Sequence, residues 1–436
     1  MWQRDPFETW PIERQGALID EKLERLLRWA QAHSPLHRHR LRDIPPGTPL
    51  NRHVLPLIAP LDKETWVSAS PPRSEDALTG ALTNAHVFRS GGSTGEPKFS
   101  VYSHAEFGAC MPFFQRTYGA AGLRQNDRVA NLFAAGGLYA SFKFVDRLLE
   151  TMGCLNFPYT AAAEPETVAE GVIRFHINVL AGFPSRLLQI APAIAARGGH
   201  VEKIFYAGEH LHPEDRERLQ QWLKPDIIAS AGYGAVDSGL MGHACERGGG
   251  GLHHVLSDHV WMEVVDSETH QPIPAGGVGT LLITNLDRVL HPVIRYQVGD
   301  TARLVPDPCP CGRLTPVFEL LGRADDSLRL GYATITRAEV LQIFGSVAPL
   351  GQGVQLLKQR VDGRETLRVR VEVPHGSAEI DLGARLLAGL LRAKPDLKKM
   401  IDAGNLDTPV VELLPENTIP RIPLTGKFKG TIDETL

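Results

Sequence analysis

Residues 88–99 read FRSGGSTGEPKF. Ser90, Gly91, Gly92, Ser93, Thr94 and Gly95 bring almost no apolar surface, and Pro97 and Lys98 close the run. Glycine lets backbone approach a ligand closely, and successive N–H groups form a concave nest for the oxygens of an anion. The hydroxyls would add donors and Lys98 a positive charge. The stretch reads either as a cradle for phosphate or as a plain connecting loop. It is not the GxxxxGK[ST] phosphate loop, because Phe99 follows Lys98 and Glu96-Pro97 precede it.

A second group of residues could hold a metal. Cys309-Pro310-Cys311-Gly312 is a tight turn able to aim two sulfurs at one point. With Cys245 and either His253 or His254 it would complete a closed, four-ligand structural zinc site. The alternative is reduced thiols packed as small hydrophobes, the reading that suits Cys110 and Cys154 in their apolar surroundings.

The loop has companions in a fixed order: YAGEHLHPEDRERL from Tyr206, SAGYGAVDSG from Ser230, HPVIRYQVGD ending at Asp300, LLGRADDSLRLG from Leu320 and IPRIPLTGKFKGTID near the end. Together they resemble the adenylate-forming superfamily, and most closely its phenylacetate–CoA ligase-like branch, over nearly the whole chain. The segments ACERGGGGLHH and PCPCGR are similar to that branch too. Such enzymes join a carboxylate to the α-phosphate of ATP, release pyrophosphate and pass the acyl group to a thiol. Both steps gather negative charge on phosphate oxygens, so donors, cations and a metal ion belong in the site.

The resemblance implies a role for each piece. Ser90 through Gly95 would clasp the β- and γ-phosphates, with Lys98 closing the loop. Gly208, Glu209 and His210 would line the adenine pocket, with Tyr233 and Gly234 beside them and the Tyr233 ring stacked on the base. Asp300 would accept hydrogen bonds from both ribose hydroxyls. Arg323 would hold the ribose–phosphate side, Asp325 would be the hinge of a swinging C-terminal domain, and Lys427 the mobile lysine that neutralises charge during adenylation. Asp237 would help hold Mg²⁺. His253 is preferred for zinc because Gly251-Leu252-His253 matches the branch. Coenzyme A is the default thiol, with a carrier-protein thiol or an amine as alternative acceptors, and a homodimer stays open.

One segment departs from the pattern. Where the family writes YGxTE, this chain has Tyr233-Gly234-Ala235-Val236-Asp237. Val236 lacks a hydroxyl for the phosphate, and Asp237 is one methylene short. That departure motivates a second reading: a nucleotide-binding relative without adenylation, acting as scaffold or sensor.

The elements that must position these residues are legible in outline. Ile19, Leu23, Leu26, Leu27 and Ala30 fall on one face of a helix over residues 18–33. Between Val129 and Lys203 short apolar runs alternate with helical patterns. In VIRFHINVLAGFPSRLLQIAPAIAARGG an apolar strand precedes a helix opened by Pro184-Ser185 and stopped at Gly198. The alternation predicts an α/β domain with buried, mostly parallel strands. From Val260 strands dominate: VWMEVVD, GTLLITNL, TARLV. After Arg323 comes a smaller α+β unit, with LRVRVEV as a strand and AEIDLGARLLAGLLRAK as a helix. The expected division is a domain of residues 1–324, binding ATP and acid, and a mobile lid of residues 325–436. FAAGGLYASFKFV is the expected acid pocket: Gly136 and Gly137 make room for a flat ring, and Tyr139 and Phe142 offer faces to an aromatic or heteroaromatic acid, or simply pack as core.

Bulk composition narrows the classes. The 436 residues are 43% hydrophobic and 22% charged, with a net charge of -4. Charge therefore suggests neither nucleic acid nor an anionic membrane as partner. No signal peptide or membrane span is visible, and five cysteines argue for a reducing compartment, hence the cytoplasm.

Overall fold

The computed structural model describes residues 5–90, 98–208, 211, 213–244, 251–323, 327–331, 333–348, 353–361, 363–373, 381–415, 418–419 and 430–435. The chain divides into two units, the break falling between Leu321 and Gly322. Glu209, His210, Cys245, Asp325 and Lys427, like the run 91–97, lie outside the described residues.

In the first unit a helix over Ile12–His33 buries Ile19, Leu23, Leu26, Leu27 and Ala30, the stripe that the spacing predicts. A hairpin follows, strands β1 (Ala85–Arg89) and β2 (Phe99–Ser103), antiparallel with Arg89 opposite Phe99. Next come β3 (Arg128–Leu132), β4 (Leu155–Phe157), β5 (Val179–Gly182), β6 (Lys203–Tyr206) and β7 (Ile227–Ser230). They form a parallel five-stranded sheet in the order β4-β3-β5-β6-β7. Alternate residues feed separate cores: Val129, Val179 and Phe205 face one, Ala130, Leu180 and Ile204 the other. That is why these strands read as mainly apolar runs.

One boundary differs from expectation. Val172 to Phe175 end a helix over Pro165–Phe175, and the strand is only Val179–Gly182. His176, in the left-handed region at φ 50°, caps the helix, a turn that apolar character alone does not reveal. Pro184 does open the next helix, Pro184–Ala196.

Strands β8 (Tyr233–Ala235), β9 (Gly239–Ala244), β10 (Leu252–Val255), β11 (Val260–Val265), β12 (Val278–Asn285), β13 (Tyr296–Val305) and β14 (Val317–Arg323) make the strand-rich part. Their order is β11-β12-β13-β14-β10-β9-β8. The β12–β13 ladder breaks where the four-residue step from Gln297 to Thr301 runs opposite the two-residue step from Leu282 to Thr280. Gly299, at φ +84°, supplies the left-handed residue that such a bulge needs. Asp300 lies inside it.

The second unit holds β15 (Ser327–Leu330) and β16 (Ala333–Thr336) as a hairpin, then β17 (Val354–Val361), β18 (Arg364–Val373), β19 (Val410–Pro415) and β20 (Thr431–Asp433) in a sheet ordered β19-β18-β17-β20. Helices Arg337–Val347 and Leu382–Ala393 pack Phe344, Leu386 and Leu390 with Val369 and Val371 of the sheet. No helix among the described residues is long and apolar enough to cross a membrane.

Candidate active site

The glycine-rich run connects β1 to β2, and its base is closed by the Ser90 N–H donating to Lys98 O at 2.9 Å. Side chains alternate along a strand, so Lys98, Ser100 and Tyr102 point the same way. All three meet the Val236-Asp237 segment. The Tyr102 hydroxyl donates to Val236 O at 2.8 Å and Ser100 Oγ to Asp237 Oδ1 at 3.0 Å. Lys98 Nζ pairs with Asp237 Oδ2 and donates to the Tyr296 hydroxyl at 2.8 Å, which itself donates to Asp237 Oδ2 at 3.2 Å. Arg288, 2% exposed, donates to the backbone oxygens of Asp237 and Val101 and lies over the Tyr102 ring. The hairpin is thus buttoned to the segment after β8.

Charge follows from this packing. Burial alone would lower the Lys98 pKa, but the Asp237 carboxylate and Tyr296 oppose it and raise the Lys98 pKa above its usual value. Burial raises the pKa of Asp237, and the Lys98 charge with donors from Lys98 and Ser100 more than reverses that, so it ends lowered. The pair is ionised at neutral pH.

The parallel strands β3, β5, β6 and β7 all deliver their C-terminal ends to one edge, where open α/β sheets bind ligands. Gly136 and Gly137 follow β3, Gly208 follows β6, and Tyr233 and Gly234 follow β7. The Tyr233 hydroxyl donates to Asp300 Oδ2 at 2.5 Å, so the expected base-stacking ring and the expected ribose carboxylate meet. Tyr233 is half-buried, its edge against Phe318 at 5.6 Å. Arg323 ends β14, and its side chain is outside the described set.

In the expected acid pocket Gly136 and Gly137 have φ of +79° and +55°, so a turn, beyond room for a ring, demands glycine there. The Arg89 N–H donates to Leu138 O at 2.8 Å, and its guanidinium donates to the Tyr139 hydroxyl at 3.3 Å. That ties the turn to the β1–β2 hairpin. Phe142 packs against the core holding Phe144, which stacks on Phe114 at 5.0 Å. Ser100, Tyr102, Arg288 and Tyr296 went unnoticed in the sequence. For the first two the signal was there, in the alternation K-F-S-V-Y.

The metal candidates need one correction. His254 Nε2 lies 3.3 Å from Cys311 Sγ, and the ligand atoms of His254, Cys309 and Cys311 all fall within 4.8 Å of one another. His253 faces the other side of β10, stacked on Phe318 at 5.6 Å with Nδ1 against Gly251 O. Neighbours on a strand cannot share a face, so His254, not His253, joins the cysteines. Burial holds the His254 pKa down to about 4, leaving the neutral imidazole that a metal takes. Three donors of this type suit zinc. Burial also pushes Cys110 up to about 12 and Cys154 up to about 11, which makes them inert thiols.

Glu8, 1% exposed, staples the N-terminal segment beside this cluster. It accepts from His243 Nε2 at 2.6 Å and Arg313 Nε at 3.1 Å, and His243 stacks on His254 at 5.4 Å. Burial raises the Glu8 pKa, but these partners outweigh it and hold it at about 2, against an ordinary 4.5. A lowered carboxylate pKa stabilises the fold above the ordinary value and loses that contribution as pH falls towards the native one. Wild type is expected to exceed Glu8→Gln in stability by roughly 2 kcal/mol at neutral pH. Chemical denaturation across pH should show the gap closing between 4.5 and about 2. A constant gap would refute the assignment.

The sequence matches the AMP-binding enzyme family over residues 43–286. Among curated proteins it is 26% identical to a phenylacetate–coenzyme A ligase of Thermus thermophilus over 383 residues, 86% of this chain and 84% of that one. A phenylacetate–coenzyme A ligase of Pseudomonas putida is 24% identical over 401 residues, covering 88% and 87%. Among solved structures, 2-hydroxyisobutyryl-CoA ligase in complex with 2-HIB-AMP and CoA superposes with a TM-score of 0.78 at 21% identity, covering 98% of this chain and 92% of that one. The matched segment, which spans the β1–β2 hairpin, the parallel sheet and Tyr233, places this chain in the AMP-binding enzyme family as an adenylate-forming enzyme of the phenylacetate–CoA ligase-like branch.

Proposed function

We propose that the protein activates an aromatic or heteroaromatic carboxylic acid with ATP and passes the acyl group to a thiol, coenzyme A by default. The observation that carries this is the Tyr233–Asp300 hydrogen bond at the mouth of the parallel sheet. It joins a ring suited to a base and a carboxylate suited to a ribose diol. In the first step a carboxylate oxygen of the acid attacks the α-phosphorus and pyrophosphate leaves. In the second, the thiol sulfur attacks the acyl carbon and AMP leaves. Lys98 and the glycine-rich run would hold the outgoing phosphates, Gly208, Glu209 and His210 the base, Arg323 the ribose–phosphate side and Lys427 the developing charge, with Asp325 as hinge. The acid would lie against the turn of Gly136 and Gly137, with Tyr139 and Phe142 beside it. The two curated relatives named above are phenylacetate–coenzyme A ligases, which supports an aryl acid.

Acid-dependent ATP–pyrophosphate exchange across a panel of aryl acids, followed by detection of the CoA thioester, tests the reading. Exchange without thioester would move the acceptor to a carrier protein or an amine. ATP binding without exchange would leave a nucleotide-binding scaffold or sensor.

His254, Cys309 and Cys311 would hold a structural zinc ion, with Cys245 as the fourth ligand expected from sequence. Such a closed site would pin the Cys309–Cys311 turn to β10 and take no part in the chemistry. Elemental analysis of the purified protein should find about one equivalent of zinc. Less than about a tenth would retire the site.

A further inference from the structure

We infer that Asp237 is a positioning residue, which holds Lys98 beside the phosphate loop, and that it does not ligate the magnesium ion accompanying the triphosphate. The inference rests on the adenylating reading of this site and departs from it at one residue. Magnesium demands near-octahedral oxygen ligands and keeps several of its waters, so a carboxylate ligand must open onto a space wide enough for a hydrated ion. Asp237 has no such opening: its side chain is 2% exposed. Oδ1 accepts from Ser100, and Oδ2 accepts from both Lys98 and Tyr296. The cation beside this carboxylate is the Lys98 ammonium, and a second cation there would be repelled.

Exposure decides which partner of the pair can meet a ligand. The Lys98 side chain is 14% exposed against 2% for Asp237. An ammonium has three N–H donors. Among the described residues, Asp237 and Tyr296 take two of them, and the third would serve a phosphoryl oxygen. The shorter side chain at 237 makes sense on this account. One methylene fewer keeps the carboxylate down among the donors of β2, and Arg288 fixes its backbone there. Asp237 therefore sets where the Lys98 charge sits, and the phosphates meet the lysine.

The test compares wild type, Asp237→Asn, Lys98→Met, the double variant and Asp237→Glu. It uses ATP–pyrophosphate exchange over a magnesium titration, and ATP affinity by calorimetry with magnesium or with EDTA. Asp237→Asn is expected to cut exchange about tenfold, because Lys98 loses a charged partner, while the magnesium needed for half-maximal rate changes less than about twofold. The double variant should lose no more than Lys98→Met alone, the signature of two residues acting as one unit. The ratio of ATP affinities with magnesium and with EDTA should stay at the wild-type value. Asp237→Glu retains the charge and guards against an Asp237→Asn protein that does not fold. It should neither raise exchange nor lower the magnesium requirement, whereas a true metal ligand would do both.

A rise of about tenfold or more in half-saturating magnesium for Asp237→Asn, or losses that multiply in the double variant, would overturn the inference. If wild type binds ATP but exchanges with no acid, the adenylating reading fails while the calorimetric ratio still decides the role of Asp237. If wild type binds no ATP, both fall.

Discussion

Replacing Lys427 with alanine is expected to slow acid-dependent pyrophosphate exchange about a thousandfold while weakening ATP binding less than about tenfold. The size follows from charge. An ammonium about 4 Å from a phosphoryl oxygen gains roughly 4 kcal/mol at an effective dielectric near 20. The asymmetry follows from timing. On the proposed reading, ground-state ATP would already share its phosphate charge with the glycine-rich run and Lys98, whereas the extra charge on the α-phosphate would appear only as the acid attacks. A group that meets that charge acts on the barrier and barely on affinity. Lys429, two positions on in GKFKG, supplies the control. Lys429→Ala carries the same loss of formal charge and should exchange within about threefold of wild type if the role belongs to Lys427 alone. Equal losses in rate and affinity for Lys427→Ala would sink the catalytic role.

What the sequence made legible, and what it hid, divides along range. The parallel sheet was visible because strands buried on both faces are mostly apolar, so β3, β5, β6 and β7 appear as short, largely apolar runs, Asn131 in β3 being a buried exception. The helix of Ile12–His33 was visible because its stripe is local. Local rules failed first at His176, where one left-handed residue separates a helix from a strand of equal apolarity. They failed again at His253 and His254. Two adjacent histidines offer the same chemistry, and only the register of β10 against β9 and β14 says which one meets the cysteines. The hardest feature was the Lys98–Asp237 pair, 139 positions apart. Each residue was named separately, one for phosphate and one for metal. Nothing in their spacing says that β2 carries Ser100 and Tyr102 to the same segment, or that Arg288 and Tyr296 converge on it. Motifs name the participants at such a site, while the pairing among them is a property of the packed chain.

Asp300→Ala is expected to raise the dissociation constant for ATP about a hundredfold. A hydrogen bond to a charged group contributes roughly 1.5–3 kcal/mol, and Asp300 is proposed to receive two, one from each ribose hydroxyl. The rival account is that Asp300 merely terminates a Val-Gly-Asp bulge in β13, in which case its loss would cost stability and leave the nucleotide indifferent. A cycle with 2′,3′-dideoxy-ATP separates them. Wild type should prefer ATP over the dideoxy analogue by about the same hundredfold, and Asp300→Ala should show little preference, because the diol and the carboxylate are two ends of one interaction. Tyr233→Phe refines the argument. It keeps the ring and removes the hydroxyl that donates to Asp300 Oδ2. Losing that one orienting bond should cost about tenfold in ATP affinity with the preference for the diol reduced, not abolished. An Asp300→Ala protein that still distinguishes ATP from its dideoxy analogue as wild type does would assign the ribose to another group, and the Tyr233–Asp300 contact would then be a brace between β8 and β13 and nothing more.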